Sequence, residues 1–176
     1  MRLHCLLRID NRRRNRQAGI SLIETMIALA LLLIAAAGIM TMATVAMSTT
    51  ETQGHLAART AEYAQDKMEQ LLALQYPDTQ TDTTVFPSTI TGAGTGLSVG
   101  GGLNPNAPAV GYSDYVDRSG NPVGAGGNWQ YVRVWQITQA APNMKQISVL
   151  TQVRYGVGQV GVLPRSMVSC LKSFPF

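Results

Sequence analysis

Between Thr25 and Thr50 the chain runs for 26 positions without a charged residue, as TMIALALLLIAAAGIMTMATVAMSTT. About 20 mostly apolar residues suffice to cross the hydrocarbon core of a bilayer as a helix. The segment has no proline and is dominated by Leu, Ala, Ile and Met, which are all compatible with a helix. It has no polar face to offer water, which argues against the core helix of a soluble protein. An arginine block stands immediately before it: residues 1–19 hold six arginines against one aspartate, a net +5. The positive-inside bias then predicts a single pass, with the N-terminus cytoplasmic and everything after residue 50 delivered outward.

The basic block also explains the pI near 9.3 and the net charge of +4. Eight Lys/Arg and nine Asp/Glu remain in residues 20–176, a net −1. No nucleic-acid surface is expected on such a body.

A cleaved secretory signal, with a small-residue site at Ala35-Ala36-Ala37, competes with the anchor reading. Against it, the apolar run continues well past those alanines. Neither a secretory signal nor a plain anchor accounts for Glu24, in the run Gly19-Ile20-Ser21-Leu22-Ile23-Glu24. A carboxylate at mid-bilayer costs roughly 2.5–3.5 kcal/mol, and less near an end. Ile20 lies four residues before it, about 6 Å along a helix. If Ile20 became a free amine, the amine of a neighbouring copy would compensate that acid in a low-dielectric setting.

The stretch RRRNRQAGISLIETMIALALLLIAAAG resembles the prepilin-type cleavage and methylation signal of type IV pilins and type II secretion pseudopilins. The resemblance implies that a prepilin peptidase cuts after Gly19 and methylates Ile20. It also implies that Glu24 serves register and charge neutralisation during assembly. Ile stands after the cut where Phe is commoner, and the 19-residue leader is long, so either the start is placed early or a longer-leader group is represented. The partners implied are the prepilin peptidase, other pilins in a filament, the inner membrane and an inner-membrane assembly platform. The subunit would sit in the bacterial inner membrane before assembly, and in a periplasmic or extracellular filament afterwards.

Helical character continues beyond Thr50. Ala57, Ala61, Ala64, Met68 and Leu71 recur at steps of 4, 3, 4 and 3, one face of an amphipathic helix. Pro77 stops it, and a continuous helix from about Ser21 to Leu74 is expected. Gly38 and Gly54 are its weak points, at about 1 kcal/mol each.

Residues 78–127 are too rich in glycine and proline for long regular elements. Asp114, Asp117 and Asn121 do not match the spacing of a calcium loop and read as turn residues. Residues 129–138 and 146–155 read as an antiparallel hairpin joined through Ala141-Pro142-Asn143. Ile147, Val149, Thr151, Val153 and Tyr155 share one face, directed at the helix. Trp129 and Trp135 are expected in packing rather than in a stacking platform. The helix followed by this hairpin resembles PilV-type minor pilins and, less closely, minor pseudopilins.

Cys5 and Cys170 would pair only if the basic block stayed attached and reached the domain; otherwise Cys170 is a small apolar residue. His55 is the only histidine after Gly19. No Ser-His-Asp or Cys-His set is complete, no zinc set can be assembled, and Gly92–Gly102 lacks the lysine of a phosphate loop. No enzyme, metal or cofactor is therefore expected.

The organisation expected is leader 1–19, membrane and assembly helix 20–50, amphipathic continuation 51–76 and an extracytoplasmic domain 77–176. The fold class is α+β and pilin-like, a long N-terminal helix packed on a small antiparallel sheet. A type IV pilus subunit, minor rather than major, leads the functional readings. A type II secretion pseudopilin and a tip adhesion or DNA-uptake module using loops 78–127 stand as alternatives.

Overall fold

The computed structural model describes residues 21–90, 92–154 and 163–174. The expected helix is continuous: α1 spans Leu22–Ala73, 52 residues. Gly38 and Gly54 are both inside it. The chain divides into a unit ending at Thr44 and a second beginning at Val45.

The first unit is the apolar stretch of α1, and every described residue in it is exposed. The few hydroxyls of the apolar run are satisfied within the helix. Thr41 donates to Gly38 O and Thr44 to Thr41 O (2.8 and 2.9 Å), as do Ser48 to Val45 O and Thr50 to Ala46 O. Folding the hydroxyl back onto a carbonyl of the preceding turn removes most of its cost in an apolar medium.

In the second unit the rest of α1 lies against one face of a sheet. The strands are β1 (Thr81–Asp82), β2 (Thr89–Ile90), β3 (Gly100–Gly101), β4 (Ser113–Val116), β5 (Pro122–Val123), β6 (Tyr131–Ala141), β7 (Met144–Val153) and β8 (Arg165–Ser173). β1 and β2 pair with each other, whereas the main sheet runs β5-β4-β6-β7-β8, with β3 also paired to β6. Every pairing is antiparallel.

The hairpin read from the sequence is β6–β7, turning at Pro142-Asn143. Ile147, Val149, Thr151 and Val153 are fully buried on its helix-facing side. Tyr155 lies outside the described residues. Trp135 is fully buried in the main core with Met68, Leu71, Ile137 and Ile147. Trp129 packs at the edge, its ring 5.1 Å from Tyr115 and the Arg154 guanidinium 4.3 Å from its centroid.

The helix stripe needs correction. Ala57 is exposed and Ala61 only half-buried, while the buried face is Thr60, Tyr63, Ala64, Lys67, Met68 and Leu71. Alanine, threonine and lysine are poor guides to a face. Thr60 is buried because its hydroxyl meets Ser166 Oγ at 2.8 Å, and Lys67 because carboxylate and carbonyl oxygens await its ammonium.

Asp114 also needs correction. It is not a turn residue but a buried strand residue of β4, paired in register with Arg133. Asp117 and Asn121 do form the turn. Asp117 accepts from the backbone N–H of Ser119 and Asn121 and from the Asn121 side chain, at 2.8, 2.9 and 3.0 Å. Gly120 in that turn has φ +88°, and a Cβ there would meet the Tyr63 ring at 2.9 Å, so both backbone and space require glycine.

β8, which sequence periodicity did not reveal, completes the sheet. Its even-numbered residues face the helix: Val168 and Cys170 are packed against the main core, and Lys172 is half-buried. Cys170 is a free, half-buried thiol. Cys5 lies outside the described residues.

Candidate functional site

Two regions hold the charged groups that the rest of the molecule does not explain. The first is the start of α1. Glu24 lies in its first turn, where Glu24 N and Thr25 N donate to Ser21 O at 2.9 and 3.2 Å. The side chain is exposed and has no ion-pair partner among the described residues. An acid in a first turn also complements the helix dipole, worth about 0.3–1 kcal/mol at an exposed site. Local helix physics thus supplies a benefit that the membrane argument alone does not credit. Gly19 and Ile20 lie outside the described residues.

Around Glu24 the surface is apolar. Leu22, Ile23, Met26, Ile27, Leu29, Leu31 and their successors to Met47 are each more than half exposed. The most apolar 18-residue window of α1 has a mean hydropathy of 2.5, and none of it is buried. Burying apolar surface is worth roughly 25 cal/mol per Å². A helix bare on all sides is therefore not at rest in water; lipid or other apolar helices must take its surface.

The second region is an ion cluster inside the globular unit. Asp114 accepts from Arg133 through both oxygens, Nε to Oδ1 at 2.6 Å and Nη2 to Oδ2 at 2.8 Å. Lys67 Nζ reaches Asp114 Oδ2 at 2.7 Å, donates to Thr83 O, and lies 4.4 Å from the centre of the Trp135 ring. Arg133 Nη1 continues outward to Asp66 Oδ2 at 2.7 Å, where the carboxylate is half exposed.

Burial pushes the Lys67 ammonium below its usual value, although Asp114 opposes the shift. Burial acts on Arg133 in the same sense, but the Asp114 and Asp66 carboxylates outweigh it and hold the guanidinium above its usual value. Two cations and two carboxylates thus tie α1 to β4 and β6. With every group paired or hydrogen-bonded, the cluster fixes which helix face meets the sheet, and it presents no free nucleophile or acid–base pair.

None of these four residues was selected from the sequence for this role. A signal existed in Lys67, which stands between Ala64, Met68 and Leu71 on the buried spacing. Its partners are set by sheet register, which spacing along one chain does not reveal.

Loops 78–127 include a turn held locally by Asp78. Asp78 accepts from the backbone of Gln80 and Thr81 and from the Thr81 hydroxyl (3.0, 3.0 and 2.6 Å). Burial would raise its carboxyl, but these donors outweigh it and hold the carboxyl below the usual aspartate value.

Residues 14–40 match the family model of the prokaryotic N-terminal methylation motif. The matched segment contains Gly19, Ile20 and Glu24. No curated protein and no solved structure matches the chain. The motif and the bare apolar helix support a structural subunit of the pilin and pseudopilin kind. They imply processing by a prepilin peptidase, assembly with other pilins, and anchoring in a membrane before assembly.

Proposed function

We propose that this chain is a minor structural subunit of a type IV pilus, cut between Gly19 and Ile20 and N-methylated on Ile20. Before assembly it spans the inner membrane once, with the arginine-rich leader in the cytoplasm. On assembly the apolar half of α1 passes from lipid into a filament core of like helices, exchanging one apolar surrounding for another.

The observation that carries this reading is the single acid, Glu24, in the first turn of a helix whose next twenty-odd residues are uncharged and exposed. A carboxylate there is costly among lipid tails and among helices alike. The liberated amine of a neighbour's Ile20 compensates it, with an attraction greater than the same pair would have in water. Chemistry on a substrate is not part of the role: the chain is processed by an enzyme and then acts by packing.

Intact-mass analysis of the mature protein tests the processing. Loss of residues 1–19 with one added methyl group is expected. A chain that begins at Met1, or a cut near Ala37, would sink the proposal. For the assembly step, Glu24→Ala should leave membrane insertion unchanged. Incorporation into filaments should fall by about tenfold or more, which corresponds to ~1.4 kcal/mol of lost pairing. Deletion of the gene should impair piliation; loss of protein export with normal pili would replace the pilus by a type II secretion pseudopilus.

A further inference from the structure

The two edges of the main sheet are built differently. At one edge β5 has only two residues, one of them Pro122, a protected end. At the other, β8 runs nine residues with no proline, no acid and no break in its register with β7. Val153 N donates to Pro164 O, and Phe174 N to Asn143 O, so the even-numbered positions of β8 spend their backbone groups on β7. The N–H and C=O groups of Arg165, Met167, Ser169, Leu171 and Ser173 therefore point outward. Among the described residues nothing pairs with them, apart from a long contact of Cys170 Sγ to Leu171 O (3.6 Å). Such a row of free donors and acceptors is a template for another strand.

We propose that the outer edge of β8 pairs antiparallel with β8 of a second copy of this chain, centred on Ser169. The side chains favour this partner and this register. With Ser169 opposite Ser169, Met167 of each copy faces Leu171 of the other. Those two are more than half exposed, on the sheet face away from α1. Arg165 faces Ser173 and Lys172 faces Ser166, so no like charges meet. Sliding by two residues either way separates Met167 from Leu171. Sliding by one sets outward-pointing residues against inward-bonded ones and loses the hydrogen bonds. An apolar pair opposite in a sheet contributes favourably, and here it occurs twice by symmetry. The contact is isologous and closes at two copies, so it is distinct from any contact that lengthens a filament. It also stands independently of the pilus reading.

The test uses the full-length chain in its membrane, in a background carrying Cys5→Ser and Cys170→Ser. Adding Ser169→Cys and oxidising mildly should give a disulfide-linked dimer of this chain, well above an Asn106→Cys control. Cross-linking no stronger than that control, or a product joined to a different protein, would overturn the proposal. Met167→Lys with Leu171→Lys should abolish the dimer, because lysines then face lysines at exposed positions that the monomer does not need. Met167→Glu with Leu171→Glu should do the same alone, and mixing the two variants should restore cross-linking between them. No restoration in the mixture would show that β8 does not meet β8 in this register.

Discussion

The two halves of α1 share one backbone geometry and differ in almost everything else. From Leu22 to Ser48 the helix is exposed on every side and carries one charge. From Thr60 to Leu71 it buries a face that includes a lysine, held by a carboxylate 2.7 Å away. The first half owes its apolar character to surroundings outside the chain, and the second half owes its burial to the chain's own sheet. Uniform hydrophobicity tells of an external partner, while a mixed face tells of a specific internal one.

Substitutions in the two halves should therefore separate cleanly, and the largest effect should come from the ion cluster. Asp114→Ala leaves Arg133 and Lys67 buried without their shared counter-charge. A loss of about 3–5 kcal/mol is expected in denaturant unfolding of the detergent-solubilised protein. If the cluster contributed nothing, the midpoint would barely move and the contrast between the halves would fail.

Leu71→Ala, in the main core, should cost roughly 2–5 kcal/mol, depending on how far the site collapses. A smaller, pH-dependent effect is expected at Asp78. Its carboxyl is held below the usual value, so its contribution is complete above the ordinary aspartate pKa of about 3.9. That contribution is lost as pH falls through the folded value. Thermal melts of Asp78→Asn and the parent should thus differ at neutral pH and converge in acid.

The smallest effect sharpens the comparison most. Leu33→Ala, on the bare half, should leave the unfolding of the sheet domain within about 0.5 kcal/mol of the parent. It should act, if anywhere, on assembly. A shift as large as that of Leu71→Ala would mean that the two halves are not energetically separate.

How much of this was legible depended on how local the cause was. The long helix, the β6–β7 hairpin and the Asp117 turn each follow from periodicity or turn chemistry within about twenty residues, and all three are present. The methylation signal was equally legible, because its parts lie next to one another. The ion cluster was not, since Lys67, Asp114 and Arg133 meet only once β4 and β6 pair and α1 docks. β8 escaped for another reason: each face of RSMVSCLKS mixes apolar with polar residues, Arg165, Met167 and Leu171 on one and Val168, Cys170 and Lys172 on the other, and its burial is set by packing on β7 and the core.

The last turn of α1 has no basic residue of its own. Its closing carbonyl Leu72 O, and Leu74 O just beyond the helix, instead receive the Lys172 ammonium from β8. α1 is thus capped by a side chain 100 residues further along the chain. During synthesis the helix end stays without this cap until β8 has been made. A variant lacking β8 would lose this helix cap together with the outer strand of the sheet.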